Sequence, residues 1–363
     1  MKNKQLNIGI AILVGVITLS AYGNEKNLSQ QNTQISQTNS QTTNKDLEVD
    51  STENMINIFT QQPLDLENYS LDYELETDDQ PFFFWSQVTK SEYGYYFSID
   101  NNTMVFFDSK SQNIIPLCNK PECMHNNSKC NAYFGQDTLE ETDFWLQQLQ
   151  YYKGNIYLIG FDSEGYANLY KVSQDGSSCE KYMQLYKTDI SSTALPHFCI
   201  HRGYVYYIKE DEAIPKIRRI KLGDTETEIV FETSGIRPNL YRMLGYGDYI
   251  FFQSGNYIDE TCVETQGGIY AYNIKTREVQ LVKKDAIATY IIVNHTCFYK
   301  LGEDVRKFDL VTQKDEKIID GASFDISADE MYVYIFDESD LKVYNHQGEL
   351  ICNIEDSNVY NKI

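Results

Sequence analysis

The chain has 363 residues, 53 of them acidic and 31 basic, for a formal net charge of −22. An acidic surface of that size repels phosphate backbones and argues against nucleic acid as a partner. The 29 tyrosines and 18 phenylalanines, with turn residues at short intervals, favour strands over helices. Beyond residue 22 no stretch is long and apolar enough to span a bilayer.

The N-terminus reads as an export signal. Lys2 and Lys4 precede the apolar run Ile8 to Leu19, and Ser20-Ala21-Tyr22-Gly23 follows. A charged start, a short apolar core and small residues are the order of a secretory signal peptide. Leu19-Ser20-Ala21 begins like a bacterial lipobox, but Tyr22 stands where the lipid-bearing cysteine belongs. Without a thiol, no thioether to diacylglycerol forms there. Three fates remain for segment 1–22: cleavage after Ala21, retention as an uncleaved anchor, or descent from a lipoprotein whose cysteine was lost. Residues 23–53 are rich in Asn, Gln, Ser and Thr and bury too little to offset chain entropy, so they form a disordered tether. Residues 54–80 are acidic, with Met55, Ile56, Ile58 and Phe59 spaced for a short element, and form a lead-in that packs on the folded domain. This order places the protein outside the cell or on the outer face of the bacterial membrane, with membrane contact only through the N-terminal segment.

From Pro81 to the C-terminus one unit recurs. Its clearest copy is Asn155 to Glu180: an aromatic-rich strand (Asn155 to Phe161), a polar turn, a second strand (Ala167 to Val172), the turn Gln174-Asp175-Gly176, and a third strand from about Ser178. Six opening hairpins follow this pattern: Phe82–Ser86 with Gly94–Ile99, Phe144–Tyr151 with Asn155–Phe161, Phe198–His201 with Tyr204–Ile208, Tyr241–Tyr246 with Tyr249–Gln253, Tyr290–Val293 with Cys297–Leu301, and Ala322–Ile326 with Met331–Phe336. Each is followed by a further aliphatic-aromatic strand and a polar turn, which are hairpin signals. A period of roughly 35–60 residues is that of propeller blades with loop insertions. The expected fold is therefore all-β: a six-bladed β-propeller of four antiparallel strands per blade. The competing folds are seven blades, with the last built from 54–80 and the C-terminus, or a two-layer sandwich. Runs apolar on both faces, such as Tyr204-Val205-Tyr206-Tyr207-Ile208, suit strands covered by a neighbouring sheet on each side. The segment Gly255 to Gln266 reads as a surface loop.

The most specific local pattern is the insertion 116–133, with Cys118, Cys123, His125 and Cys130 spaced Cys-x4-Cys-x-His-x4-Cys. Three thiols and an imidazole can supply a tetrahedral zinc site. A disulfide-stapled loop is the alternative, since exported proteins meet an oxidising setting. The odd thiol would then stay free or pair with Cys179, Cys199, Cys262, Cys297 or Cys352. A third reading makes the loop a recognition surface on one end of the ring.

The segment 116–133, the lipobox-like start and the tyrosine-rich array together resemble a group of propeller lipoproteins from Gram-positive bacteria, in the general style of YWTD-type six-bladed propellers. The resemblance implies a cell-surface or secreted protein; Tyr22 is the departure from it.

Other patterns are structural. His197 and His201 are four apart, which in a strand is about 13 Å, too far for one metal, and no His-Glu-x-x-His is present. Gly245 and Gly247 lack a third phosphate-loop glycine. Ser173–Gly176 reads as a hairpin turn, and no Gly-x-Ser-x-Gly elbow occurs. No catalytic residue is singled out. The functional expectation is a non-catalytic binding propeller for a protein, peptide or glycan at the cell envelope. Two other readings stand beside it: an extracellular polysaccharide hydrolase or lyase using carboxylates in the channel, and a metal or redox site at the Cys/His loop.

Overall fold

In the computed structural model, which describes residues 61, 63, 64, 66, 88–99, 102–135, 143–188, 197–209, 212–261, 265–286, 289–322, 326–337 and 340–354, every regular element is a strand. The strands form six separate four-stranded antiparallel sheets, each built from four consecutive strands. Blade 1 is β1 (Val88–Lys90), β2 (Gly94–Ile99), β3 (Thr103–Asp108) and β4 (Ile114–Pro116). Blade 2 is β5 (Asp143–Tyr152), β6 (Asn155–Phe161), β7 (Tyr166–Ser173) and β8 (Cys179–Lys187). Blade 3 is β9 (Phe198–His201), β10 (Tyr204–Ile208), β11 (Lys216–Lys221) and β12 (Thr227–Glu232). Blade 4 is β13 (Ile236–Tyr246), β14 (Tyr249–Tyr257), β15 (Thr265–Asn273) and β16 (Val279–Lys284). Blade 5 is β17 (Tyr290–Val293), β18 (Thr296–Leu301), β19 (Asp304–Asp309) and β20 (Asp315–Ile319). Blade 6 is β21 (Ile326–Ala328), β22 (Tyr332–Asp337), β23 (Asp340–Asn345) and β24 (Leu350–Ile354).

First strands touch first strands, β1 with β5, β5 with β9, β9 with β13 and β17 with β21, so they line the inside of a ring. The protein is a six-bladed β-propeller. The seven-blade and sandwich alternatives fail for one reason. All six seams between sheets are filled by side chains from two neighbouring blades, including the seam that joins blade 6 to blade 1. In that closing seam Val88, Phe97 and Val105 pack against Tyr332, Tyr334, Leu341 and Val343. Among the described residues closure therefore rests on side-chain packing, with no strand exchanged between the first and last blades.

Sequence alternation explains the seams. Along β10, Val205 and Tyr207 face blade 2, whereas Tyr206 and Ile208 face blade 4. One strand thus supplies two cores, which is why the run is apolar throughout. Local turns set the registers. Lys153-Gly154, Arg202-Gly203 and Asn294-His295 have positive φ at both residues (47° and 75°, 46° and 78°, 47° and 61°), the requirement of the tight turns that match strand twist. The third strand of four blades ends in Asp108, Asn273, Asp309 or Asn345, whose Oδ1 accepts backbone N–H groups of the turn that follows. Asx side chains at this place imitate a backbone turn.

Several boundaries differ from the sequence expectation. The stretch 255–266 is not simply a loop: β14 runs to Tyr257 and β15 begins at Thr265, with Gly255 opposite Gly267. The inner strand of blade 6 is Ile326–Ala328 rather than Ala322–Ile326. The inner strand of blade 1 is Val88–Lys90; the strand expected at Phe82–Ser86 lies outside the described residues. So do segment 1–22, the tether 23–53, Cys262 and most of the lead-in. The described part of the lead-in does pack on the domain. Gln61 pairs parallel to Leu281 of β16, the Leu64 N–H donates to the Leu310 carbonyl at 3.2 Å, and Leu64 and Leu66 are buried in the seam between blades 4 and 5.

Polar groups also tie blade to blade. Gln150, 3 % exposed, donates from Nε2 to the Ile200 carbonyl at 2.7 Å and accepts the Ile200 N–H at 2.6 Å. Replacing it with alanine leaves two backbone groups of β9 unpaired. Gln150→Ala is expected to cost about 1–3 kcal/mol per orphaned group, measured by urea unfolding.

Asp315 of blade 5 holds Lys283 of blade 4 at 3.0 Å, and Arg306 at 3.0 Å and the Tyr299 hydroxyl at 2.8 Å within its own blade. Burial opposes ionisation of Asp315, but Tyr299, Lys283 and Arg306 outweigh it and hold its pKa below the ordinary 3.8. A carboxyl depressed by folding contributes stability that is present above its unfolded pKa and is lost as pH falls through the folded one. Thermal melts should therefore fall steeply below about pH 4, and Asp315→Asn should flatten that acid limb while lowering the melting temperature at neutral pH.

Candidate metal centre

The Cys/His segment is an excursion from the outer edge of blade 1. Pro116 pairs with Val105 of β3, and the Leu117 N–H donates to the Met104 carbonyl at 2.9 Å. The chain then leaves the sheet. It returns where Tyr133 bridges Thr103, the Met104 N–H donates to the Ala132 carbonyl at 2.8 Å, and the Phe134 N–H donates to the Asn102 carbonyl at 2.7 Å. One outer strand is thus completed in two halves, with the loop 118–131 standing between them.

The loop folds back on itself and brings its four side chains together. Glu122 and His125 adopt left-handed φ of 60° and 55° on either side of Cys123. The Cys123 N–H donates to the Lys120 carbonyl at 3.3 Å. The ligand atoms of Cys118, Cys123, His125 and Cys130 all lie within 4.8 Å of one another, and Nδ1 of His125 is 3.3 Å from Sγ of Cys130. Among the described residues this is the one group of three or more His, Cys, Asp or Glu side chains placed to share a metal ion. Cys130 is buried beside Ala132, Leu117 and Phe134; the other three ligands are half-buried.

Backbone amides are aimed at the sulfurs. The Ala132 N–H donates to Sγ of Cys130 at 3.3 Å. Burial opposes ionisation of the Cys118 thiol, but the N–H groups of Lys120 and Asn131 and the thiols of Cys130 and Cys123 outweigh it and move its pKa down. Burial pushes the Cys130 thiol up to about 12, reinforced by the thiols of Cys123 and Cys118 against the opposing Ala132 N–H. Of these two thiols, Cys118 is thus the more readily ionised. A bound divalent ion would favour thiolate at all three cysteines and a neutral imidazole at His125.

All seven described cysteines, Cys118, Cys123, Cys130, Cys179, Cys199, Cys297 and Cys352, are thiols rather than disulfides. Cys199 and Cys297 are core residues whose burial pushes their thiols far up. The two histidines set aside above are not brought together as ligands. His201 is buried, with Nε2 at 2.7 Å from the Gly247 carbonyl across the seam between blades 3 and 4. His197 precedes β9; burial, with the Arg242 charge beside it, lowers its pKa to about 4 and keeps it neutral.

Sequence reasoning missed what the loop docks on. The turn Gln174-Asp175-Gly176 of blade 2 is its receptor. The Gly176 carbonyl accepts the side-chain amide of Asn131 at 2.8 Å and the Asn119 N–H at 3.4 Å. Tyr96 and Tyr151, stacked 5.9 Å apart, donate to the Gln174 carbonyl at 3.3 Å and to its Oε1 at 3.0 Å. The loop therefore crosses from blade 1 to blade 2. No signal in the sequence links Asn119 or Asn131 to a turn some fifty residues away; only the ring brings them together.

No protein-family model matches the chain, and no curated protein matches its sequence. Solved structures similar in shape include an oligogalacturonate lyase in complex with manganese (9 % identity over 74 % of this chain and 76 % of that one, TM-score 0.46). TolB from Acinetobacter baumannii (12 %, 75 % and 79 %, TM-score 0.41) and BamB from Moraxella catarrhalis (12 %, 72 % and 73 %, TM-score 0.36) are further examples. They differ in function among themselves, and at these values they carry no inference about substrate or activity.

Gly176 has φ +69°, and a Cβ there would lie 2.5 Å from the Leu117 carbonyl and 2.6 Å from the Cys118 nitrogen. Gly176→Ala is expected to lower stability by about 1–3 kcal/mol and to loosen the loop. Hydrogen exchange at the Leu117 and Ala132 amides should rise relative to the amides of blade 4.

Proposed function

We propose that this protein is a non-catalytic binding propeller of the bacterial cell surface or its exterior, and that its Cys118, Cys123, His125 and Cys130 cluster holds a structural zinc ion. The observation that carries the metal reading is the convergence of three sulfurs and one imidazole nitrogen within 4.8 Å, with N–H donors directed at the sulfurs. Soft thiolates with an imidazole select zinc over magnesium or calcium, and four protein ligands make a closed, structural site rather than an open, catalytic one. The ion would supply a cross-link and no chemistry. It would join the two halves of the outer strand of blade 1 and hold the loop against the turn of blade 2, so its binding energy would add to that of folding.

Several observations support the binding-platform reading. The ring is a rigid scaffold of six sheets, and ligand sites on such scaffolds lie in the loops and seams. The export-like start and the polar tether present that scaffold to partners at the envelope, which by chemistry are proteins, peptides or glycans.

Elemental analysis of the purified full chain should find about one zinc per molecule, as one four-ligand site requires. Cys123→Ser should lose it, and a chelator should lower the melting temperature of the wild type by several degrees while leaving Cys123→Ser unchanged. A metal-free chain with these cysteines in disulfides would refute the metal centre.

A further inference from the structure

Beside the metal centre the seam between blades 1 and 2 opens outward into a cleft of about 400 Å³. Phe106 forms its wall on blade 1, with Tyr96, only 1 % exposed, stacked behind it at 4.8 Å. Ile115 and Pro116 form its outer lip, Tyr93 stands at one end, and Asp175 of the blade 2 turn lies across from them. Tyr93 is 54 % and Ile115 52 % exposed, a high exposure for large apolar side chains in one place. Exposed apolar surface gathered around a concavity marks a binding site more often than an accident of packing.

The cleft limits what can fill it. Its outer lip is an edge strand, yet it is blunted against strand addition. The Asn113 carbonyl accepts the Asp108 N–H at 3.0 Å, and the Leu117 N–H donates to Met104 at 2.9 Å. Alternation then turns the backbone of Ile114 and Pro116 outward, and Pro116 has no N–H to offer. A partner must therefore be held through side chains rather than by extending the sheet. The rim is acidic. The Asp175 carboxylate accepts the Ser177 N–H at 3.0 Å and carries no ion pair among the described residues. The Glu92 carboxylate lies beside the hydroxyl of Tyr93, which lines the cleft. The loop's Lys120 is turned onto the Lys129 carbonyl. A chain of net charge −22 adds a long-range preference for cations.

We infer that this cleft is a docking site for an extended, proline-rich peptide segment of a partner protein that carries a basic residue. A polyproline segment needs no backbone pairing and packs its rings on aromatic walls, with little entropy left to lose on binding. Its Lys or Arg would meet Asp175 or Glu92 at the rim. The inference rests on the binding-platform reading above. It depends on the metal centre only through the wall at Leu117 to Asn119.

An array of fluorescein-labelled proline-rich peptides with basic, neutral or acidic flanks, read by fluorescence anisotropy with the full-length chain, tests it. Basic-flanked peptides should bind saturably. Replacing their prolines with alanine, or the basic residue with glutamate, should weaken binding at least about tenfold. Ile115→Asp, at an exposed position that leaves folding intact by circular dichroism, should also weaken it at least about tenfold. Asp175→Asn should weaken the basic-flanked peptides and leave the neutral ones unchanged. Failure of every peptide to bind, or binding undiminished by Ile115→Asp, would overturn the inference. Equal binding of basic and acidic flanks would overturn the assignment of a cationic partner. Zinc content is read on the same preparation. A zinc-free chain that binds peptide counts against the metal centre alone, and a zinc-loaded chain that binds none counts against the cleft alone.

Discussion

The whole molecule depends on the contact of one small sheet with the next. A four-stranded sheet with apolar side chains on both faces cannot bury either face by itself. Here each face is covered by a neighbour, and β10 supplies Val205 and Tyr207 to one seam and Tyr206 and Ile208 to the other. Because the sheets consist of consecutive strands, no strand among the described residues crosses from the last blade to the first. Among the described residues the ring closes through Phe97, Val105, Tyr332 and Tyr334 and their neighbours, an apolar contact of about 25 cal/mol per Å² of buried surface.

Two seams carry something extra from outside the repeat. Between blades 4 and 5 the segment around Leu64 and Leu66 lies along β16 and plugs the seam. Between blades 1 and 2 the Cys/His loop leaves the outer strand and leans on the turn at Gly176. In a six-membered ring these seams are three steps apart, which places the two reinforcements on opposite sides. A cross-link is most useful where a sheet edge is otherwise weakest. The outer strand of blade 1 is short and broken in the middle, and the four ligand atoms gather at that break.

The cleft lies beside the same break. Ile115 of β4 lies opposite Phe106 and borders, with Pro116, the concavity that Phe106 and Asp175 also line, while Tyr96, 1 % exposed, stacks behind Phe106. The metal cluster and the apolar concavity thus adjoin one departure from the repeat.

Much of the ring was legible in the chain itself. The strands at Phe198–His201 and Tyr204–Ile208 match the reading from alternation, because dense apolar runs bounded by glycine and polar turns admit little else. The hairpin of β14 and β15 was less legible. Its far end pairs Asn256 with Gln266 and Tyr257 with Thr265, residues that read as loop because polar strand ends on a surface lack alternation. The Asx residues that close third strands, Asp108, Asn273, Asp309 and Asn345, were a usable signal that periodicity alone passed over.

Spacing alone determined that Cys118, Cys123, His125 and Cys130 form one local cluster, since ligands within thirteen residues need no distant partner to meet. Composition and repeat length likewise determined the ring of sheets, since narrow two-faced sheets have few other ways to hide both faces. Only the tertiary structure decided where the cluster sits, which turn receives it, and that an apolar cleft opens beside it. Those facts depend on Gly176, Asp175 and Tyr151, which lie in another blade and enter the site through the angle at which two sheets pack.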